Sequence, residues 1–187
     1  MARTVIASVG TSLLTNKTWK WRRGNPLPRA EDMLESLRTT KLTEGSAETH
    51  TLYRLPLMDD DTLHWLSSNT EECKQCAGVL NEYYGVSRSD VHVIKELNYR
   101  KGDFERGLKA LATTAARIVS DAGGPDDVVI CATGGFKPEA AYLNIVGLLL
   151  DIPVYYLYEG LEHIVKLPRP PIERWDVDGI IEYLQAL

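Results

Sequence analysis

Cysteine is scarce and odd in number: Cys73, Cys76 and Cys131 are the only three, in a chain with no signal-peptide pattern at MARTVIASVG. That weighs against a disulfide framework and leads us to expect a reducing, cytoplasmic setting. Cys73 and Cys76 form a CxxC, yet it lies inside a helical pattern with no second Cys or His pair nearby, so zinc and redox roles are not expected. No apolar run approaches the ~20 residues of a membrane span, and a soluble protein is expected. Excess positive charge is also lacking. A formal net charge of -5 argues against long nucleic acid as a partner, and any polyanionic ligand must meet a local basic patch. Asp59, Asp60 and Asp61 are consecutive acids, but neighbouring side chains diverge and no companion ligand pattern is present, so a solvated turn is expected and no metal. Neither GxGxxG nor GxxxxGK[ST] occurs, which counts against a dinucleotide or P-loop enzyme.

What is present is organised around residues 127–160. Residues 128–132 are a short apolar, β-branched run that reads as a strand buried on both faces, broken by Thr133-Gly134-Gly135. From Lys137 the chain reads as a helix, with Pro138 at an early position and Ala141, Ile145 and residues 148–150 as its apolar face. Residues 154–157 then read as another buried strand, completing a β-α-β unit with the usual right-handed crossover. A glycine turn before a helix N-terminus lets backbone N–H groups approach an anion, and Lys137 would add a full charge there. Alone, the turn reads equally as an ordinary connection with a solvated lysine. Residues 4–9 supply a parallel case: a compact strand interrupted by Gly10-Thr11-Ser12. In a parallel sheet both turns lie at the carboxyl ends of their strands, where open α/β sheets bind ligands, so Ser12 and Lys137 would face one pocket.

Residues 16–25, NKTWKWRRGN, interleave Trp19 and Trp21 with four cations. They suit stacked bases and phosphates, or a basic loop whose tryptophans pack on the body, which is the preferred reading. Helices are expected over residues 31–40, from Ser46 to Leu55, from Glu71 to a stop at Gly85, and from Asp103 to Gly123-Gly124-Pro125. Residues 62–67 and 91–94 read as strands, with His92 packed or at the surface rather than a ligand. Arg100 and Lys101 follow a strand's carboxyl end and either reach the same crevice or belong to a solvated loop. Residues 164–167 form a short extended segment and 178–187 a brief final helix. The expected fold is a single α/β domain over residues 1–187, a Rossmann-like, mainly parallel sheet sandwiched between helices, with its core in 1–160 and a C-terminal extension in 161–187.

Three pieces taken together, SVGTSLLTN at 8–16, GDFERGL at 102–108, and ATGGFKPEAAYLNIVG at 132–147 followed by VYYLYEG at 154–160, resemble the CRISPR-associated Rossmann-fold (CARF) domain. In particular they resemble the stand-alone CARF ring nucleases of type III CRISPR systems. The resemblance implies a homodimer that binds cyclic tetra-adenylate across its two-fold axis and cuts it, switching the defence signal off. It implies catalytic roles for Ser12 and Lys137, and ligand contacts from Gly10, Thr11, Leu13, Gly134, Gly135 and Phe136. It implies no cofactor and no metal, because a ribose 2′-hydroxyl can serve as the nucleophile and leave linear products with a 2′,3′-cyclic phosphate. The rival expectations are a CARF sensor that holds the ring uncut and signals to a partner, and an unrelated small Rossmann-like nucleotide enzyme. The ribonuclease partner domain usual in such sensors carries an Arg and a His with four to six residues between them; Arg88 and His92, the nearest spacing here, have three.

Overall fold

The computed structural model describes residues 2–85, 88–98, 103–158 and 163–168. Its elements run β1 (Thr4–Val9), α1 (Ser12–Thr15), α2 (Ala30–Thr39), α3 (Leu42–Gly45), α4 (Ala47–Arg54), β2 (Thr62–Ser68), α5 (Glu71–Tyr84), β3 (Ser89–Ile94), α6 (Phe104–Asp121), β4 (Val128–Cys131), α7 (Lys137–Leu149), β5 (Val154–Tyr156) and β6 (Val165–Lys166). The sheet order is β3-β2-β1-β4-β5-β6, parallel except for β6, which closes antiparallel on β5. This is the expected Rossmann-like α/β fold. The strand order reverses between β1 and β4, so the crevice at their carboxyl ends is the switch point of the sheet.

The two faces of the sheet carry separate cores. Val5, Ala7, Val9, Leu63 and Trp65 point to one side and pack under α1, α2, α4 and α5. Ile6, Leu66, Ile94 and Ile130 point to the other, under α6 and α7. The alternation along β1 follows from the period of two in a strand, and both faces are apolar because both are covered. Each helix boundary has a local cause. Ser46 caps α4 by accepting from the Thr49 N–H, and Thr49 answers by accepting from the Ser46 N–H, a reciprocal capping box. Thr70 caps α5, and Gly85 stops it at φ +98°.

Two expectations are corrected. Of the apolar residues named for α7, only Leu150 packs against the core: Ala141, Ile145, Leu148 and Leu149 are exposed, while Leu143, Val146 and Gly147 face inward. The bare Gly147 sets this rotation, because a Cβ there would collide with the Val154 side chain and crowd the Ile152 carbonyl. The acidic turn is not wholly solvated either, since Asp61 is fully buried and pairs with Arg3 at 2.6 Å. It accepts also from the backbone N–H groups of Arg3 and Met58, tying the start of β1 to the turn before β2. No group of three or more His, Cys, Asp or Glu is placed to hold a metal among the described residues. The tryptophans of the basic loop pack against the first core, as preferred, with Lys17, Lys20 and Arg22 outside. His92 packs against His64, ring nitrogens 3.0 Å apart. No described helix is long and apolar enough to cross a membrane. The final helix expected over 178–187 lies outside the described residues.

Candidate functional site at the sheet switch point

The turns after β1 and β4 touch. A Cβ built on Gly10 would sit 2.6 Å from the Gly135 nitrogen, so the two chains meet at a distance only glycine permits. Gly135 turns at φ +85°, and Gly134 is hemmed in by the Ser8 carbonyl and the Glu48 carboxylate. The Ser8 hydroxyl donates to the Gly134 carbonyl at 2.7 Å. Thr133 Oγ1 accepts from Thr51 Oγ1 and from the Leu157 N–H, both at 2.9 Å, and so joins α4 to the end of β5. This end of the sheet is thus tied together by residues at the ends of β1, β4 and β5 and on α4.

Ser12 and Lys137 flank this contact. Ser12 opens α1 and is half-buried; Lys137 is the first residue of α7 and is exposed, next to an exposed Phe136. The structure therefore brings together Gly10, Gly134 and Gly135 directly, with Thr11, Ser12, Phe136 and Lys137 on the adjoining residues. Leu13 is buried in the first core, so its side chain packs the body and only its backbone borders the turn. Arg100 and Lys101 lie outside the described residues.

Two buried carboxyl groups that sequence reasoning did not single out lie behind the turns. Glu48, at the second position of α4, accepts from Ser12 Oγ at 2.6 Å through one oxygen and from the Gly10 N–H at 2.9 Å through the other. Ser12 Oγ in turn accepts from the Ala47 N–H at 3.0 Å. Glu139 lies against Gly135 in the first turn of α7 and is 2% exposed. Burial raises its pKa to about 7, against the opposing pull of the Phe136 N–H. Its Oε1 has no hydrogen-bond partner among the described residues. Acids in a helix's first turn ordinarily read as solvated complements to the helix dipole, and nothing local distinguishes these two from that use.

The cysteines lie apart from this chemistry. Cys73 and Cys76 are free and buried within α5, and burial raises both thiols. Cys131, in β4, is pushed up to about 12 by burial. Thiols held protonated in this way are poor nucleophiles and poor metal ligands.

The arrangement can do specific things. The 13-residue α7 presents its N-terminus beside a glycine turn, an arrangement that suits an anion, with the exposed Lys137 at the same edge. The serine offers a fixed oxygen opposite.

Comparison with known proteins agrees with the fold. Among solved structures, Enterococcus italicus Csm6 bound to cyclic hexa-2′-fluoro-hexa-dAMP is similar over 99% of this chain, with a TM-score of 0.51 and 9% identity. This chain spans 39% of the length of that one. Identity that low speaks for the fold alone, which is the CARF type of Rossmann-like sheet. The family model described as CRISPR-associated protein (Cas_APE2256) matches residues 43–170, a stretch that takes in Glu48, the Gly134-Gly135 turn and Lys137. With most of its length matched, the chain belongs to this family of CRISPR-associated proteins.

Proposed function

We propose that this protein is a ring nuclease: it binds cyclic tetra-adenylate across the two-fold axis of a homodimer and opens the ring, ending a type III CRISPR signal. The observation that carries the reading is the contact between the Gly10 and Gly135 turns at the switch point, with Ser12 and Lys137 on either side. Membership of a CRISPR-associated family and a fold like that of a protein solved with a cyclic oligonucleotide both point the same way.

The chemistry follows from the ligand. A ring of four equal nucleotides can share a dimer's two-fold axis, so each subunit would offer the same serine and lysine to opposite halves. The ribose carries its own nucleophile. When the 2′-oxygen lies in line with the phosphorus, a new O2′–P bond forms and the P–O5′ bond breaks; the 2′-hydroxyl gives up its proton and the 5′-oxygen gains one. The protein's work is to align and to neutralise. Lys137 and the α7 N-terminus stabilise the extra negative charge on the phosphoryl oxygens, and Ser12 holds the ribose or the phosphate in line. The products are linear, with a 2′,3′-cyclic phosphate and a 5′-hydroxyl, and the reaction needs no metal.

The test is incubation with cyclic tetra-adenylate and cyclic hexa-adenylate, with products identified by mass spectrometry, with and without EDTA, alongside Ser12→Ala and Lys137→Ala. Linear fragments of the expected mass, unaffected by EDTA and lost in the variants, support the reading. A bound ring returned intact after hours would instead make the protein a sensor, a reading favoured by its match to only part of a longer ring-binding chain.

A further inference from the structure

The proposed reading leaves open which part of the ring Ser12 grips, and the hydrogen bonds around its oxygen decide between the two chemistries. A hydroxyl has one proton and two lone pairs. The proton of Ser12 is committed to Glu48 Oε2 at 2.6 Å, and one lone pair accepts from the Ala47 N–H at 3.0 Å. What remains for a ligand is a single lone pair. A phosphate oxygen has no proton to give it, whereas a ribose 2′-hydroxyl does.

Resting on the ring-nuclease reading, we infer that Glu48 makes Ser12 an obligate acceptor, so that the site selects a ribose ring over a 2′-deoxy or 2′-fluoro ring. Glu48 is itself held in place. Its second oxygen accepts from the buried Gly10 N–H at 2.9 Å, and the residue is 3% exposed, so it cannot swing away to release the serine proton. Glu48 is a positioning residue: it touches no ligand and acts through Ser12. It also accounts for glycine at position 134, where any Cβ would strike its Oε1.

The geometry makes a sharp statement about Glu48→Gln. The Gly10 N–H is a fixed backbone donor and requires an acceptor, so the glutamine carbonyl must take that side. The amide NH2 then faces Ser12 Oγ, which becomes its acceptor, and the serine proton turns outward. The polarity offered to the ligand reverses.

The experiment compares affinities for cyclic tetra-adenylate, its 2′-deoxy analogue and its 2′-fluoro analogue, measured within minutes, before turnover consumes the ribose ring. The wild-type protein is expected to prefer the ribose ring by ~10-fold or more, the loss that follows when a site hydrogen bond is left unmade. In Glu48→Gln that preference is expected to collapse to within about threefold, with the fluoro ring gaining. Differences in sugar pucker act on wild type and variant alike, so the change in the ratio isolates the serine. Should Glu48→Gln fail to fold, Ser12→Ala gives the same collapse by removing the oxygen. Tight binding of all three rings with no discrimination by the wild type overturns this inference and leaves the ring-binding reading standing. Failure to bind any ring overturns both. A preference that survives intact in folded Glu48→Gln and in Ser12→Ala assigns the selection elsewhere and refutes the role given to Glu48.

Discussion

Replacing Glu139 by glutamine should make the protein more stable at alkaline pH and leave it nearly unchanged in mild acid. The folded carboxyl titrates at about 7 because it is buried behind Gly135 with one oxygen unpartnered. In the unfolded chain a glutamate titrates at about 4.3. Between these values the folded state holds a proton that the unfolded state has released, so stability is greatest below about pH 4 and falls as pH rises through 7. At about 1.4 kcal/mol for each tenfold change in proton affinity, the full loss comes to roughly 4 kcal/mol. Glutamine keeps an oxygen for the Phe136 N–H and does not ionise, and its unpartnered amide end costs about what the unpartnered carboxyl end already costs. Urea unfolding of wild type and Glu139→Gln at pH 5 and pH 8.5 reads this directly. The variant should match the wild type within ~1 kcal/mol at the lower pH and exceed it by ~3–4 kcal/mol at the higher. Curves that stay parallel across the range would refute the argument, because they would mean that Glu139 is ionised in the folded protein as readily as in water.

Other expectations follow from the same contacts. Asp61→Ala should cost ~3 kcal/mol, since it strands the Arg3 guanidinium and two backbone N–H groups, and equilibrium unfolding measures it. Burial pushes the Asp61 carboxyl up, but Arg3 and the two N–H groups outweigh it and hold it below its usual value; its stabilisation is therefore present above about pH 4 and lost as acid protonates it, so the variant should show a flatter acid limb. Gly134→Ala should lose ~2 kcal/mol or more from overpacking against Ser8 and Glu48, and should lower ring affinity in the same step. Lys137→Ala, an exposed change, should leave the melting temperature within a degree or two while slowing single-turnover cleavage about 100-fold.

Most of the frame was legible because the residues that build it act locally. The β-branched run of β4, the capping threonine before α5 and the glycine after it carry their meaning within a few positions. The two glycine turns were legible for the same reason, and the parallel sheet rule put both at one edge. The burial of an acid was not legible. Asp61, Glu48 and Glu139 all sit in turns or first helical turns, where an acid is ordinarily solvated; Asp61 and Glu48 are buried by partners far away in sequence, Arg3 and Ser12 with Gly10, while Glu139 folds back on the Gly135 turn four residues earlier, at a place the sheet as a whole encloses. The apolar stripe of α7 misled for a related reason. Period alone offered two apolar faces, and the choice fell to Gly147 meeting Val154, a contact between elements rather than within one.

Two acids directly behind the proposed anion site present an electrostatic problem, and the arrangement of their partners answers it. A unit charge about 4 Å from a phosphate costs on the order of 4 kcal/mol at the effective dielectric of a protein surface, enough to cancel what a lysine contributes. Glu139 avoids that cost because burial keeps much of it protonated near neutrality, so it supports Gly135 without opposing the ligand. Glu48 meets two donors, a hydroxyl and a backbone N–H, both lying between its oxygens and the turn. Those dipoles carry its charge toward the serine as a fixed orientation rather than as a bare field. The same hydrogen bond that screens the carboxylate therefore sets the polarity of Ser12, and in the proposed complex Lys137, outside the turn, would meet the phosphate as a cation and Ser12 the sugar as an acceptor. That division matches the two ends of a ribose phosphate, and it requires all three contacts at the switch point to be made together.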